Sequence, residues 1–423
     1  MNKVAIYVVV SVLIGIVVGA GIGWYLKPAE RVEVPSGLQG EVKIGWIDAL
    51  SGSGAFWAEE LLACAEVAVE EVNDYLNKTG AGWWIKLYVE DSQLKPEIAL
   101  DKLKSLHAQG IEIVTGIGFS ADLKAMMQYA NTNHILLLAG GNSYELAVED
   151  DYIFRVLPNS TTSAYCLTAL YRYFGIEHVI FVWRGDAYAD SLEQATEALC
   201  EEYGISFDPA IRYNPEAAEF SGEAATLNSK VQDAIAQYGA DKVAWTILCF
   251  EEGKAFFDAL KPYHPENWGI RLLSTGGLCL MDWVTEPAYA ELYTQLSSTA
   301  SDFRPTVSLR TQKVIEKVKA KIGREPDIYG LIGYDEIWIL ALALQAAGKY
   351  DADAVKAQLP TVFENYASII GWAPLNKYGD KAAVTFGLYR VMKVDDTYKW
   401  ARVGTYDLLT DTVNWLSEPE VIS

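Results

Sequence analysis

The sequence predicts an α/β protein made of two lobes, each a parallel sheet flanked by helices, preceded by one N-terminal transmembrane helix. Three observations lead there. An uncharged run extends from Val4 to Leu26 between Lys3 and Lys27, short apolar strands then alternate with amphipathic helices, and the folded portion runs to nearly 400 residues. Such alternation implies parallel strands covered by helices on both faces. One core rarely serves more than about 250–300 residues, so two units are expected.

Crossing a bilayer as a helix takes roughly 20 residues, which Val4 to Leu26 supplies. A cleaved secretory signal would carry a shorter apolar core of about 7–15 residues, so an uncleaved anchor is favoured. The first cysteine is Cys64, too far along for a lipid anchor on a thiol. Lys3 before the run and Trp24-Tyr25 at its end fit an N-terminus inside and an interfacial aromatic pair outside. Residues 4–26 are therefore expected to be a single-pass anchor in the cell membrane. Residues 27–40, with Pro28, Pro35 and Gly37, are expected to form a stalk that holds the body on the extracellular side.

The elements then follow in order. Val42 to Ile47 is a β-branched strand, and Ala58 to Leu76 repeats apolar residues at helical spacing. The pattern recurs as Trp84 to Val89 with Pro96 to His107, Ile113 to Thr115 with Ser120 to Ala130, and Ile135 to Leu138. After Phe154-Arg155-Val156-Leu157-Pro158 it begins afresh. Helix Ser163 to Phe174, strand Val179 to Trp183 and helix Asp190 to Tyr203 lead to helix Ala224 to Tyr238, strand Val243 to Leu248, helix Gly253 to Leu260 and strand Ile270 to Leu273. Helices near Thr311 to Lys321 and Tyr329 to Ala347 follow, and Ala382 to Val394 reads as a closing strand pair.

Composition narrows the function. Lys plus Arg number 34 against 56 Asp plus Glu, a net charge of -22. That field repels phosphate backbones and argues against nucleic acid as a partner. The five cysteines form no C-x-x-C pair, and most are expected as buried apolar side chains; Cys166 with Cys200 is the pair to test for a bridge. The four histidines have no neighbouring ligand at metal spacing, so no metal site and no cofactor is expected.

In open α/β sheets ligands bind beyond the carboxyl ends of the strands. The loop after the first strand holds Phe56 and Trp57, which are expected to line a cleft. The loop Gly116-Ile117-Gly118-Phe119-Ser120-Ala121 has the form G-x-G-x-x-A. As a dinucleotide fingerprint it lies at the third strand rather than the first, and no ribose-binding acid follows. A nucleotide-dependent dehydrogenase is thus a weak rival, lacking a credible base. The loop suits another use better: Ser120 as a helix cap, with outward amide hydrogens ready for a carboxylate.

The strings VKIGWIDALSGSGAFWAEELLACAEVAVEEVN, YVEDSQLKPEIAL, IEIVTGIGFSADLKAM, ILLLAGGNSYEL, VIFVWRGDAYADSLEQA and LIGYDEIWILALAL resemble the extracytoplasmic binding proteins of branched-chain amino acid ABC transporters, from about Val42 to Val394. The resemblance implies a type I periplasmic binding protein, two lobes joined by three crossings around the ligand. It places residues 41–158 and 302–371 in lobe 1 and residues 159–301 and 372–423 in lobe 2. It implies that Ser120 binds a ligand carboxylate, that Asn142 or Ser143 supports it, and that Trp57 walls the first lobe. In the second lobe it implies Tyr188 and Phe250-Glu251. An ABC permease is the implied partner, with an amino acid or related small carboxylate as ligand.

Two departures stand out. Where the family commonly holds the ligand's ammonium with an acid, this chain has Gly276. An unpaired buried ammonium is costly, so either Asp186, Glu251 or Asp335 substitutes, or Trp57, Trp183 and Tyr188 face a cation, or the ligand is an aromatic acid, amide or betaine. The family's first-lobe cysteine pair is also absent, Phe119 standing at one of its positions. A sensory receptor ectodomain is the remaining alternative to transport.

Overall fold

The computed structural model describes residues 37–304, 308–383, 385–408 and 410–422. The expected anchor, Val4 to Leu26, lies outside them. The first sheet is built from β1 (Gly40–Asp48), β2 (Trp83–Asp91), β3 (Ile113–Ile117), β4 (Leu136–Ala139) and β5 (Ile153–Arg155), in the order β2-β1-β3-β4-β5, all parallel. The register pairs Asp48 with Asp91, so β1 and β2 end level at one edge. Between the strands run α1 (Ala55–Thr79), α2 (Pro96–Ala108) and α3 (Ser120–Thr132).

The second lobe holds α4 (Thr161–Tyr173), β6 (His178–Arg184), α5 (Ala187–Tyr203), β7 (Ser206–Tyr213), α6 (Ser221–Tyr238), β8 (Val243–Leu248), α7 (Gly253–Leu260), β9 (Arg271–Thr275), α8 (Pro287–Gln295) and β10 (Thr299–Arg304). The chain then returns to the first lobe as α9 (Leu309–Ile322), α10 (Ile328–Ala347) and α11 (Ala352–Asn365). It crosses back a third time to β11 (Thr385–Val394), β12 (Thr397–Asp407) and β13 (Thr412–Val421). The second sheet has the order β13-β12-β11-β10-β9-β8-β6-β7, parallel through β10 and antiparallel beyond it. This is the two-lobed architecture expected from the alternation of elements.

Several expectations need correction. The expected strand pair over 382–394 is one strand, Thr385–Val394, which pairs with β10 on one side and β12 on the other. Asp395 and Asp396, both at positive φ, make the turn between β11 and β12. Strands β7, β10 and β13 and helices α8 and α11 lay outside the sequence-derived pattern. Cys166 and Cys200 are not bridged; all five cysteines are free and buried. Burial pushes the thiols of Cys166 and Cys200 up to about 12 and those of Cys64, Cys249 and Cys279 well above their usual range.

The packing that shapes the interlobe edge is α10 against α1. Apart from Asp335 and Glu336, α10 is apolar nearly all round, as a fully buried helix must be. Among the described residues it is the one helix long and apolar enough to cross a membrane, and it is interior to the fold. Asp327 caps it, accepting the Gly330 N–H at 3.0 Å. Gly333 lets the two helix backbones touch, since a β-carbon there would lie 2.3 Å from the Leu61 carbonyl. That close crossing carries Leu61 and Trp57 of α1 and Tyr329 and Ile332 of α10 to the same mouth between the lobes.

Candidate functional site

The loops beyond β1, β3 and β4 face those beyond β6, β8 and β9 across a narrow cleft with a cavity volume of about 70 Å³. Trp57, Phe119, Ser120 and Asn142 line it from the first lobe, Tyr188 and Phe250 from the second. These were all singled out from the sequence. Tyr329, Gly277 and Asp48 also line it and were not.

Ser120 opens α3 but does not cap it. The cap position is Phe119, in extended backbone, with no side-chain bond to the helix. The Ser120 Oγ instead accepts the Ser143 N–H at 3.1 Å, which leaves its own proton free to be donated. The first-turn amides of a helix have no intrahelical acceptor and carry the positive end of the dipole. A hydroxyl donor and these amides therefore meet at one edge of the cleft, the combination that anion binding requires.

Asn142 and Ser143 have different tasks. Asn142 lines the cleft, with its Nδ2 donating to the Pro158 carbonyl at 2.9 Å, so its amide oxygen remains for a guest. Ser143 is fully buried and ties the lobes together: its Oγ donates to the Ala187 carbonyl at 2.9 Å, and its own carbonyl accepts from Arg155 Nη1 at 2.7 Å. Arg155 in turn pairs with Asp380 on the third crossing, both side chains wholly buried. The hinge is thereby linked by hydrogen bonds to the loop that touches Ser120.

The walls are aromatic. The Trp57 and Phe250 rings approach to 4.8 Å across the cleft, Phe119 lies 6.1 Å from Phe250, and Tyr188 stacks at 6.1 Å on the same ring. Arg184 lies 3.8 Å over Phe250 and is itself held by Asp186 and Glu252. Both glycines at the end of β9 are steric requirements. A β-carbon on Gly277 would stand 2.4 Å from the Phe250 ring, and one on Gly276, at φ +53°, would stand 2.4 Å from the Tyr188 hydroxyl. Gly276 lies beneath the wall rather than in it.

The substitute acids do not reach the cleft. Asp186 caps α5, accepting the Ala189 N–H at 3.0 Å, and pairs with Arg184. Asp335 is buried within lobe 1, where it accepts from Tyr366, Ser368 and the Ile369 amide. Glu251 is exposed and outside the lining, so of the expected Phe250-Glu251 wall only the phenylalanine takes part. Trp183 is core, its Nε1 donating to Asp190 at 2.9 Å. Phe56 turns away from the cleft to stack under Arg324, 4.3 Å from its ring.

Asp48 was not singled out from the sequence, yet it ends β1 inside the cleft, 1% exposed. Its Oδ1 accepts the Ala49 N–H at 2.8 Å. Burial pushes its carboxyl well above the usual range, and the Asp122 charge adds to that. The available signal was one charged residue closing an otherwise apolar strand, VKIGWID. Behind the lining, Asp302 is likewise buried and raised, hydrogen-bonded to the Tyr329 hydroxyl. Among the described residues no cluster of His, Cys, Asp and Glu suited to a metal occurs.

Comparison with known proteins gives this geometry its class. The profile of the periplasmic binding protein family matches residues 41–399, and the chain belongs to that family. An uncharacterized protein of Methanocaldococcus jannaschii is 27% identical over 399 residues, covering 88% of this chain and 91% of the relative. Among solved structures, a solute-binding protein of an ABC transporter from Rhodopseudomonas palustris, in complex with 3,4-dihydroxybenzoic acid, superposes with a TM-score of 0.69 at 16% identity, over 87% of this chain and 98% of that one. A leucine-binding protein from Thermotoga maritima gives 0.67 at 16% identity, over 85% and 97%. At such identities the solved structures establish the fold.

Proposed function

We propose that this chain is the solute-binding component of an ABC importer, capturing an amino acid or a related small carboxylate outside the cell and presenting it to a permease. The observation that carries the reading is the anion seat: the Ser120 hydroxyl and the start of α3 at the edge of a cleft walled by rings from both lobes. The carboxylate docks on the first lobe, Phe250 and Tyr188 close over the remainder, and hinge closure gives the form a permease recognises. Val4 to Leu26 supplies the tether in this reading. Solved structures of this fold hold isoleucine in one case and hydroxybenzoic acids in others, so both classes belong in the test.

A thermal-shift screen of the full-length chain in detergent, over amino acids, betaines and aromatic acids, tests it. At least one carboxylate should raise the melting temperature, and Ser120→Ala should reduce that rise. A screen without any shift, or an Ser120→Ala response equal to the parent's, overturns the proposal.

A further inference from the structure

Among the described residues Asp48 is the one charged side chain that lines the cleft. Its Oδ2 is buried and has no hydrogen-bond partner among the described residues. A buried polar atom without a partner loses its hydration for nothing in return, which costs about 1–3 kcal/mol and more when charged. The titratable groups that face Asp48 are all acids, and only the Gly118 and Ala49 backbone amides favour its charged form. Asp122 comes from α3, Asp91 from the end of β2 and Glu336 from α10, and among the described residues no lysine or arginine pairs with Asp48. Asp122 is itself occupied by the Ser92 hydroxyl.

The opposite side of the cleft has no room for an acid. Gly276 and Gly277 are pressed beneath Tyr188 and Phe250, so a carboxylate at the end of β9 would displace the rings that form the second-lobe wall. A guest bearing only a carboxylate would bring a negative charge to the start of α3 beside this unpaired acid, with no cation in the lining to offset it. A guest that also bears a cationic nitrogen supplies the missing charge and, where that nitrogen carries N–H, a hydrogen-bond partner for Oδ2. The faces of Trp57, Tyr188 and Phe250 favour a cation as well.

We propose that the guest is a zwitterion whose cationic nitrogen is held by Asp48, so that the first lobe engages both of its charges and the second lobe contributes rings alone. The inference rests on the reading of Ser120 as the carboxylate seat and adds to it the chemistry of the other end of the ligand. Aromatic acids such as hydroxybenzoates are disfavoured by it; amino acids and betaines are favoured.

Isothermal titration of the full-length chain in detergent separates the two ideas. The probes are matched pairs: leucine with 4-methylpentanoate, phenylalanine with 3-phenylpropanoate, and glycine betaine with 3,3-dimethylbutanoate, the isostere without the cationic nitrogen. In at least one pair the cationic member should bind at least about tenfold more tightly, the scale of one hydrogen bond to a charged group. Asp48→Asn, which keeps the acceptor for Ala49, should bring that ratio below about tenfold while the purely anionic member binds as before or better. A ratio below tenfold in every pair on the unmodified chain, or one that survives Asp48→Asn, overturns the inference and leaves the carboxylate reading standing. Binding by neither member of any pair overturns both. Should Asp48→Asn fail to fold, the ratios on the unmodified chain decide.

Discussion

The Tyr188 hydroxyl stands over Gly276 so closely that a β-carbon at 276 would lie 2.4 Å from it, while the next ring atom is 3.5 Å away. The chain has given up a side chain at the end of β9 in order to seat a tyrosine in the cleft. Gly276→Ala is expected to lower stability by about 1–3 kcal/mol, from overpacking and from a β-carbon at φ +53°. Tyr188→Phe, by deleting the oxygen, should recover part of that loss in the double variant. Urea denaturation of the four proteins checks the cycle, and purely additive losses would count against the steric explanation.

Arg155 and Asp380 are a buried pair with neither side chain exposed. Asp380→Ala leaves a buried guanidinium without its counter-charge and should cost about 3–5 kcal/mol. The same change frees Arg155 from its orientation toward the Ser143 carbonyl, so whatever ligand the thermal-shift screen returns should also bind more weakly. A variant that unfolds at the parent's urea midpoint would contradict this.

Glu336 is wholly buried on α10; its Oε2 accepts the Gly116 N–H at 3.2 Å and its Oε1 has no partner. Burial pushes its carboxyl up to about 8 from an ordinary 4.5. A carboxyl raised in the folded state binds its proton more tightly there than in the unfolded chain, so stability falls as pH rises between those two values. Each unit of offset is worth about 1.4 kcal/mol, making a loss of a few kcal/mol across the window. Glu336→Gln removes the titration: parent and variant should unfold alike near pH 4 and diverge by pH 9, the variant being the more stable. Parallel melting curves across that range would refute the assignment.

Phe250 meets Trp57, Phe119 and Tyr188 from the opposite lobe or wall and is only half-buried. Phe250→Ala should therefore act on binding more than on folding. The ligand found by the screen should lose about tenfold or more in affinity, on the scale of aromatic contacts at interface centres, with a small change in melting temperature. Equal loss of stability and affinity would place Phe250 in the core instead.

Much of the fold was legible because parallel strands buried on both faces read as short apolar runs, as in Val243 to Leu248, whose bounds the structure reproduces. Missed strands have other causes. β7 and β13 are edge strands with mixed or exposed faces, and α11 carries Pro360 in its interior. At the site, loop position after a strand was enough to pick out Ser120 and Trp57, whereas Asn142 and Tyr188 came from the family resemblance. It was not enough to distinguish Asn142 from Ser143, because their difference lies in a bond to Ala187 that is 44 positions away in the chain. Asp186 and Asp335 were plausible acids by sequence alone; their hydrogen-bond partners use them up. Asp48 was overlooked because a single acid at a strand end has no periodicity to reveal it.

The five cysteines, all enclosed and all poorly ionised, give the natural chain no thiol that a maleimide or iodoacetamide dye would readily find. A fluorophore coupled to one added surface cysteine near the mouth would thus label that position alone. The parent sequence is in that sense already a background for an optical sensor of lobe closure, with no native residue to be removed first.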